Sequence, residues 1–259
     1  MGRATLETLR LYVRRTRWSI IRSMRQREEW SADQLSKAQG AFAVLEHHPL
    51  CPEVEYGLQY DFLVYVQARF EASEVLRRGL EVFPDSGGLH ARLRKQILDQ
   101  GGDGVLDGLE ETYQTMLAQP GASPNLTWFA GYATIVAAEY HRRAGEAELA
   151  RGSYGRAIEL YKRNMEALPE NESSAKHYIA ICHAGLARLS MEAGDLDAAL
   201  AFMLTSIETE PLAITASDGL GFTGSMTATT IQARLEEAGD TASAERLKAA
   251  TSPLPSATR

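Results

Sequence analysis

The chain has 259 residues, of which 44% are hydrophobic and 24% are charged, and its formal net charge is −7. This composition is ordinary for a globular protein, and no apolar run approaches the eighteen or so residues that a membrane-spanning helix needs. The two cysteines, Cys51 and Cys182, belong to no paired motif. We therefore expect a cytoplasmic protein without a disulfide framework.

The first segment, residues 1–29, is predicted to form a basic amphipathic helix. Residues 1–27 contain eight arginines and one acid, a net charge of +7, so the rest of the chain carries −14. Leu6, Leu9, Val13, Ile20 and Met24 share one side of the helical wheel. Trp and Arg are typical of binding hot spots, so the candidate partner-binding residues on the opposite side are Arg10, Arg14, Arg15, Trp18, Arg22 and Arg25.

Three interpretations of this helix compete. In the first, it is an N-terminal capping helix whose arginines pair with the acidic body. In the second, it is a docking surface for an acidic partner protein, with Trp18 as an anchor. In the third, it is an adaptor to an anionic membrane or a nucleic acid. The third is disfavoured because the net charge of −14 elsewhere would repel a long polyanion.

Residues 30–215 contain a repeated pattern of apolar helical stretches that stop at prolines. Proline cannot continue a helix, and the stops are Pro49, Pro84, Pro120, Pro169 and Pro211. Other helical stretches are predicted near residues 53–67, 88–99, 124–150, 172–192 and 225–238. A period of this length is typical of a solenoid.

A small residue lies twelve positions before each of the last four prolines. A small side chain there would let a neighbouring helix approach closely. These residues are Ala72, Gly108, Ala157 and Ala199.

Two segments resemble the tetratricopeptide repeat, a helix-turn-helix unit with a small residue in its first helix, a glycine turn and a final proline. Residues 144–171 match at Gly145, Gly152, Ala157, Tyr161 and Pro169, with Gly152 as the predicted turn. Residues 185–211 match at Ala187, Gly194, Ala199 and Pro211, with Gly194 as the predicted turn. The resemblance implies an all-α fold, a right-handed α-solenoid of about five helix-turn-helix repeats with N- and C-terminal capping helices. We expect the C-terminal capping helices at 225–250 and a disordered tail at 251–259.

The resemblance also implies a groove, lined by the first helices of the repeats, that holds a peptide. The equivalent positions here are Glu139, Arg142, Glu146, Arg188 and Glu192. Arg142 and Arg188 would clamp a carboxylate of the partner in two-pronged fashion. The alternative is that Glu139 and its neighbours form ordinary surface pairs at i,i+4 spacing, such as Glu139 with Arg143.

Gly219, Gly221 and Gly224 spell G-x-G-x-x-G, a pattern that holds pyrophosphate when it lies within a βαβ unit. No second strand is predicted after the following helix. We therefore expect residues 216–224 to be a connector with Thr223 or Ser225 as N-cap. Nucleotide or anion binding by this loop, in an enzyme or a binding protein, is the alternative function.

No convincing catalytic cluster, metal site or cofactor motif emerges. His47, His48 and Cys51 lie close together but lack the fourth ligand of a zinc site. We expect no cofactor and a non-enzymatic scaffold or adaptor that binds a peptide or partner domain. An uncapped solenoid end would favour a homodimer.

Overall fold

The computed structural model describes residues 2–28, 31–102, 104–216 and 220–252. In these residues the chain forms twelve α-helices, two short 3-10 turns and no strand, which confirms the predicted all-α fold. Gly219 and residues 253–259 of the predicted tail lie outside the described residues. The helices are α1 (Arg3–Arg25), α2 (Ala32–Glu46), α3 (Glu53–Tyr65), α4 (Arg69–Val82), α5 (Gly87–Leu98), α6 (Val105–Leu117), α7 (Leu126–Arg143), α8 (Ala147–Ala167), α9 (Glu172–Glu192), α10 (Leu196–Thr209), α11 (Gly224–Glu237) and α12 (Thr241–Thr251).

The predicted proline stops are confirmed. Helices α2, α4, α6, α8 and α10 each end two or three residues before their proline. Two of the prolines, Pro169 and Pro211, open the 3-10 turns Pro169–Asn171 and Pro211–Thr215. The proline fits there because the first position of a helical turn has no internal partner for an N–H group.

Five connections between consecutive helices close with the same backbone turn. In the α9–α10 turn the N–H of Gly194 donates to Met191 at 3.1 Å, and the N–H of Asp195 donates to Ser190 at 2.9 Å. This pair of hydrogen bonds is the Schellman motif, which needs a left-handed residue after the helix. The left-handed residues of the five turns, with φ between 56° and 82°, are Arg27, Gln67, Gly145, Gly194 and Gly239.

The turn between α7 and α8 lies seven residues earlier than the sequence predicted. We expected Gly152 to form it, but Gly145 does, and Gly152 lies inside α8. The apolar face of α8 explains the shift, because Ala150 and Tyr154 are fully buried on either side of Gly152. The helix therefore continues through the glycine, and α8 reaches 21 residues.

The N-terminal unit, Met1–Lys95, contains α1 to α4 and most of α5. In this unit α1 packs against α2, and α3 packs against α4. Leu6, Val13 and Ile20 are buried and Leu9 and Met24 are partly buried, so the predicted apolar side of α1 is confirmed. Its arginine face remains outside the core.

The C-terminal unit, Gln96–Arg259, builds its core from successive helix pairs. Helix α7 packs on α8, α8 on α9 and α9 on α10, and α11 packs on α9, α10 and α12. Ala157 and Ala199 are completely buried in this unit, and Ala72 is buried in the other, as their small size predicted. Gly108 is different, since a side chain there would meet nothing within 4 Å.

The same substitution at two glycines is expected to change stability in opposite directions. Gly194→Ala should lower the free energy of unfolding by about 1 kcal/mol, because a left-handed φ of 82° is strained for alanine. Gly155→Ala, in the open middle of α8, should raise it by about 1 kcal/mol. Urea unfolding monitored by circular dichroism measures the change in the free energy of unfolding for each variant. A change in the same direction in both variants would contradict the assigned turn.

The buried His90 is expected to make the protein sensitive to mild acid. Its side chain is inaccessible, its Nε2 lies 2.8 Å from the carbonyl of Pro84, and burial lowers its pKa from 6.5 to about 4. Because the pKa of His90 is lower in the folded than in the unfolded chain, its neutral ring costs no stability above pH 6.5. Below that pH the unfolded chain binds a proton that the folded chain does not, so about 3 kcal/mol of folding stability is lost as the pH falls to 4.

Urea titrations at successive pH values check this dependence. His90→Gln should be less stable at neutral pH but should show a shallower fall between pH 6.5 and 4. Parallel profiles for the two proteins would show that His90 does not cause the acid sensitivity.

Candidate partner-binding site

A patch of half-buried aromatic side chains covers the N-terminal halves of α7 and α9. We call Trp128, Tyr132, His177 and Tyr178 the aromatic patch. The rings of Trp128 and Tyr132 stack at 6.2 Å, and Tyr178 meets the edge of Trp128 at 5.2 Å. The indole N–H of Trp128 donates to Ser174 at 3.0 Å. These contacts fix the rings while leaving part of each exposed.

A second group of residues, the ionic cluster, joins the C-terminal halves of the same two helices. Its centre is Glu139, whose side chain is only 2% exposed. The guanidinium groups of Arg142 and Arg188 lie 3.3 and 3.7 Å from the same Glu139 oxygen. Glu192 accepts from Arg142 at 3.0 Å and lies 3.3 Å from Arg188. Each buried charge is therefore matched within the cluster.

Tyr154, a fully buried residue of α8, is the third partner of Glu139 in this cluster. Its hydroxyl donates to the other carboxylate oxygen of Glu139. Burial, and then the charge of Glu139, raises the pKa of Tyr154 well above 10, so the phenol stays a hydrogen-bond donor. The ring reaches this position because Gly185 of α9 has no side chain, and a Cβ there would overlap the Tyr154 ring.

Four of the five predicted groove residues therefore come together, but they bind one another. The carboxylates clamped by Arg142 and Arg188 belong to Glu139 and Glu192 of this chain. Glu146 lies apart, with a carboxylate oxygen 2.6 Å from Nδ1 of His141.

The alternative interpretation of these residues as surface pairs also needs correction. Glu139 does lie 4.0 Å from Arg143, its i+4 neighbour. The pair is not a surface pair, because the Glu139 side chain is withdrawn from solvent while that of Arg143 is half exposed.

The glycine-rich loop packs against this cluster. Arg143 donates to the carbonyl of Leu220 at 2.6 Å, and the guanidinium of Arg188 lies 5.0 Å from the ring centre of Phe222. Gly221 has a φ of 82° beside Arg143, and Gly224 packs closely on Ile214. The loop is thus tied to α7 and α9.

The described residues contain no βαβ unit around this loop. A 3-10 turn, Pro211–Thr215, precedes it, and α11 follows it with Thr223 as the predicted N-cap residue. The side chain of Thr223 bonds Ser225 at 3.2 Å and caps no backbone group.

Of the predicted partner-binding residues of α1, one arginine forms ion pairs and the others lie on an exposed face. Arg10 bonds Glu55 at 2.6 Å and Glu7 at 3.0 Å, as the capping interpretation requires. Among the described residues no acid pairs with the other four predicted arginines. Trp18 is 48% exposed, and Arg25 lies over its ring at 5.6 Å. The exposed arginines are Arg14, Arg15, Arg22 and Arg25.

The aromatic patch was missed by reasoning from the sequence, although a signal existed. Trp128 and Tyr132 are spaced i,i+4 on α7, the first helix of one pair, and Tyr178 lies on α9, the first helix of the next pair. The groove positions predicted from the resemblance are all charged, so these aromatic residues are not among them.

Neither a metal site nor a membrane span emerges from the described ranges. Within them, no group of three or more His, Cys, Asp or Glu side chains could hold a metal ion. None of the helices in those ranges is long and apolar enough to cross a bilayer.

Comparison with known proteins adds no assignment. A scan against protein-family models finds no match, and a search of curated proteins finds no relative.

Removing the central charge of the ionic cluster is expected to be costly. Glu139→Gln should lower the free energy of unfolding by about 3 kcal/mol, because two largely buried arginines lose their shared partner. Glu192→Gln is the matched control and should cost less than about 1 kcal/mol, since that carboxylate is 41% exposed. Chemical unfolding of both variants checks the difference, and equal losses would contradict the central role of Glu139.

Proposed function

We propose that this protein is a non-enzymatic scaffold of tetratricopeptide-like helix hairpins that binds a peptide or partner domain on the surface shared by α7 and α9. The observation that carries the proposal is the aromatic patch. The protein would work in the cytoplasm, in keeping with its two free cysteines, Cys51 and Cys182.

The chemistry of the patch supports partner binding. Aromatic residues are enriched at the centres of protein interfaces because they bury a large area at little conformational cost. Here Tyr178 also rests on the fully buried Tyr161, whose ring is stacked 5.3 Å away and nearly parallel. The patch is therefore held in place before any partner arrives, which lowers the entropy cost of binding.

The ionic cluster has a supporting role in this proposal. It ties α7, α8 and α9 together beside the patch, and most of its charge is already used within the chain. The half-exposed Arg143 and Glu192 remain at its edge. They would form a polar rim around an aromatic centre, which is the common arrangement of protein interfaces.

The repeated architecture supports the scaffold interpretation. Five turns share one hydrogen-bonding pattern, and each helix of the C-terminal unit packs mainly on its neighbours in sequence. These are properties of stacked repeats, in which no single hairpin can bury its apolar face alone. We infer a solenoid on this basis, with the right-handed sense that the resemblance to the tetratricopeptide repeat implies.

Site-specific crosslinking tests the proposed surface. A photoreactive phenylalanine at Tyr132 of the full chain, expressed in its native cells, should capture one discrete partner protein. The same group at Met226, which is 69% exposed in the C-terminal unit, should not capture it. Equal capture at both positions would show that contact is not specific to the patch.

The captured partner is then titrated with purified protein. Tyr132→Ala and Tyr178→Ala should each weaken binding by about tenfold or more, as hot-spot aromatics do. Met226→Ala should leave the affinity unchanged. Folded variants that bind as tightly as the parent chain would overturn the proposal, and so would a measured enzymatic turnover that needs no partner.

A further inference from the structure

A groove of about 260 Å³ lies between α1 and α3 within the N-terminal unit. Ile21 of α1 and Leu58 and Phe62 of α3 make its walls apolar. Tyr65 lies at the end of α3 and is 46% exposed. We call this feature the α1 groove, and it is lined by Arg17, Ile21, Arg25, Leu58, Asp61, Phe62 and Tyr65.

Two arginines border the groove, and neither is bonded to an acid among the residues that the structure describes. Nε of Arg17 is buried and makes no hydrogen bond with any described residue. Burial lowers the pKa of Arg17, opposed by the nearby charges of Glu55 and Asp61. Arg25 is exposed, one helical turn beyond Ile21 on the same side of α1.

The acids near the groove are already occupied. Asp61 accepts two hydrogen bonds from Arg92, at 2.6 and 2.9 Å, and Glu55 accepts one from Arg10 at 2.6 Å. The two-pronged pair of Asp61 with Arg92 is of the stronger kind. The partly desolvated guanidinium of Arg17 is therefore left beside the apolar groove without a bonded acid. A carboxylate of an incoming ligand would supply the missing partner.

We propose that the α1 groove binds an acidic amphipathic segment of a partner protein. One apolar side chain of the segment enters between Ile21 and Tyr65. An adjacent carboxylate pairs with Arg17 and Arg25, and Trp18 and Arg14 extend the contact along the exposed face of α1. This site is separate from the aromatic patch, and its existence does not depend on the function proposed for that patch.

The structure favours a peptide over a membrane. A helix that lies in a bilayer surface must bury its own apolar face in lipid. In α1 that face is already used, since Leu6, Val13 and Ile20 are at most 8% exposed.

A nucleic acid fits the groove less well than a peptide. A phosphate backbone is attracted by a continuous cationic surface. Here the arginines flank apolar walls, and the carboxylate of Asp61 lies among the lining groups.

Selection from a phage-displayed library of random peptides identifies the ligand class. The full chain is the bait, and the full chain carrying Arg25→Glu is used for counter-selection. Enriched peptides should combine Asp or Glu with a neighbouring Leu, Phe or Trp. No enrichment, or enrichment of peptides without acids, would overturn the proposal.

Fluorescence polarisation with an enriched peptide then locates the site. Arg25→Glu and Tyr65→Ala should each weaken binding by about tenfold or more, and high salt should weaken it further. Arg3→Glu is the matched control, because it makes the same charge change at an exposed position at the other end of α1. It should alter the affinity less than about threefold. An equal loss in Arg3→Glu would overturn the proposed site, because only the general charge of α1 would then attract the peptide.

Two other probes test the rejected ligands. Phosphatidylserine–phosphatidylcholine vesicles and a duplex DNA should bind more weakly than the peptide and should not respond to Tyr65→Ala. Tighter binding of either probe, with loss in the same two variants, would reassign the groove to a lipid surface or a nucleic acid. Circular dichroism of each variant shows whether it is folded, and only folded variants count in these comparisons.

Discussion

The buried carboxylate of Glu139 is the constraint on which the C-terminal unit depends. A charge removed from water is tolerated only when opposite charge and hydrogen bonds surround it. Here Arg142 supplies charge and a hydrogen bond from the same helix, Tyr154 supplies a hydrogen bond from α8, and Arg188 supplies charge from α9. Because these groups come from three helices, satisfying one carboxylate sets how the three helices lie along one another. The close approach of Tyr154 to Gly185 is part of the same arrangement.

The same constraint also decides which side chains of the α7–α9 surface remain available to a partner. Residues that would have offered charge to a partner are used to neutralise one another, so the α7–α9 surface presents mainly aromatic rings. The N-terminal unit has the opposite character, since its α1 keeps exposed arginines beside an apolar groove. The two units thus present different chemistry, aromatic in one case and cationic with apolar walls in the other. In the proposed scaffold, these two surfaces would suit partners of unlike composition.

Helix ends were the most predictable part of the fold. Prolines stop a helix for a local reason, and all five proline stops were placed correctly. Turn positions were less predictable, because glycine is permitted both in a left-handed turn and in a helix interior. Gly145 and Gly152 are both glycines, and the burial of Ala150 and Tyr154 decides which of them forms the turn. Gly108 shows the same limit, since small size permits a close contact but does not require one.

The sequence by itself determined the helical class, the helix boundaries at prolines and the separation of arginines from apolar residues on α1. These features follow from backbone chemistry and from spacing within a single helix. Only the tertiary structure decided which charged residues stay available to a partner. Arg142 and Glu192 are fifty residues apart in sequence and meet across two helices at 3.0 Å. That contact depends on how far α9 is shifted along α7, and this shift is set by side-chain packing and by the need to neutralise a buried carboxylate.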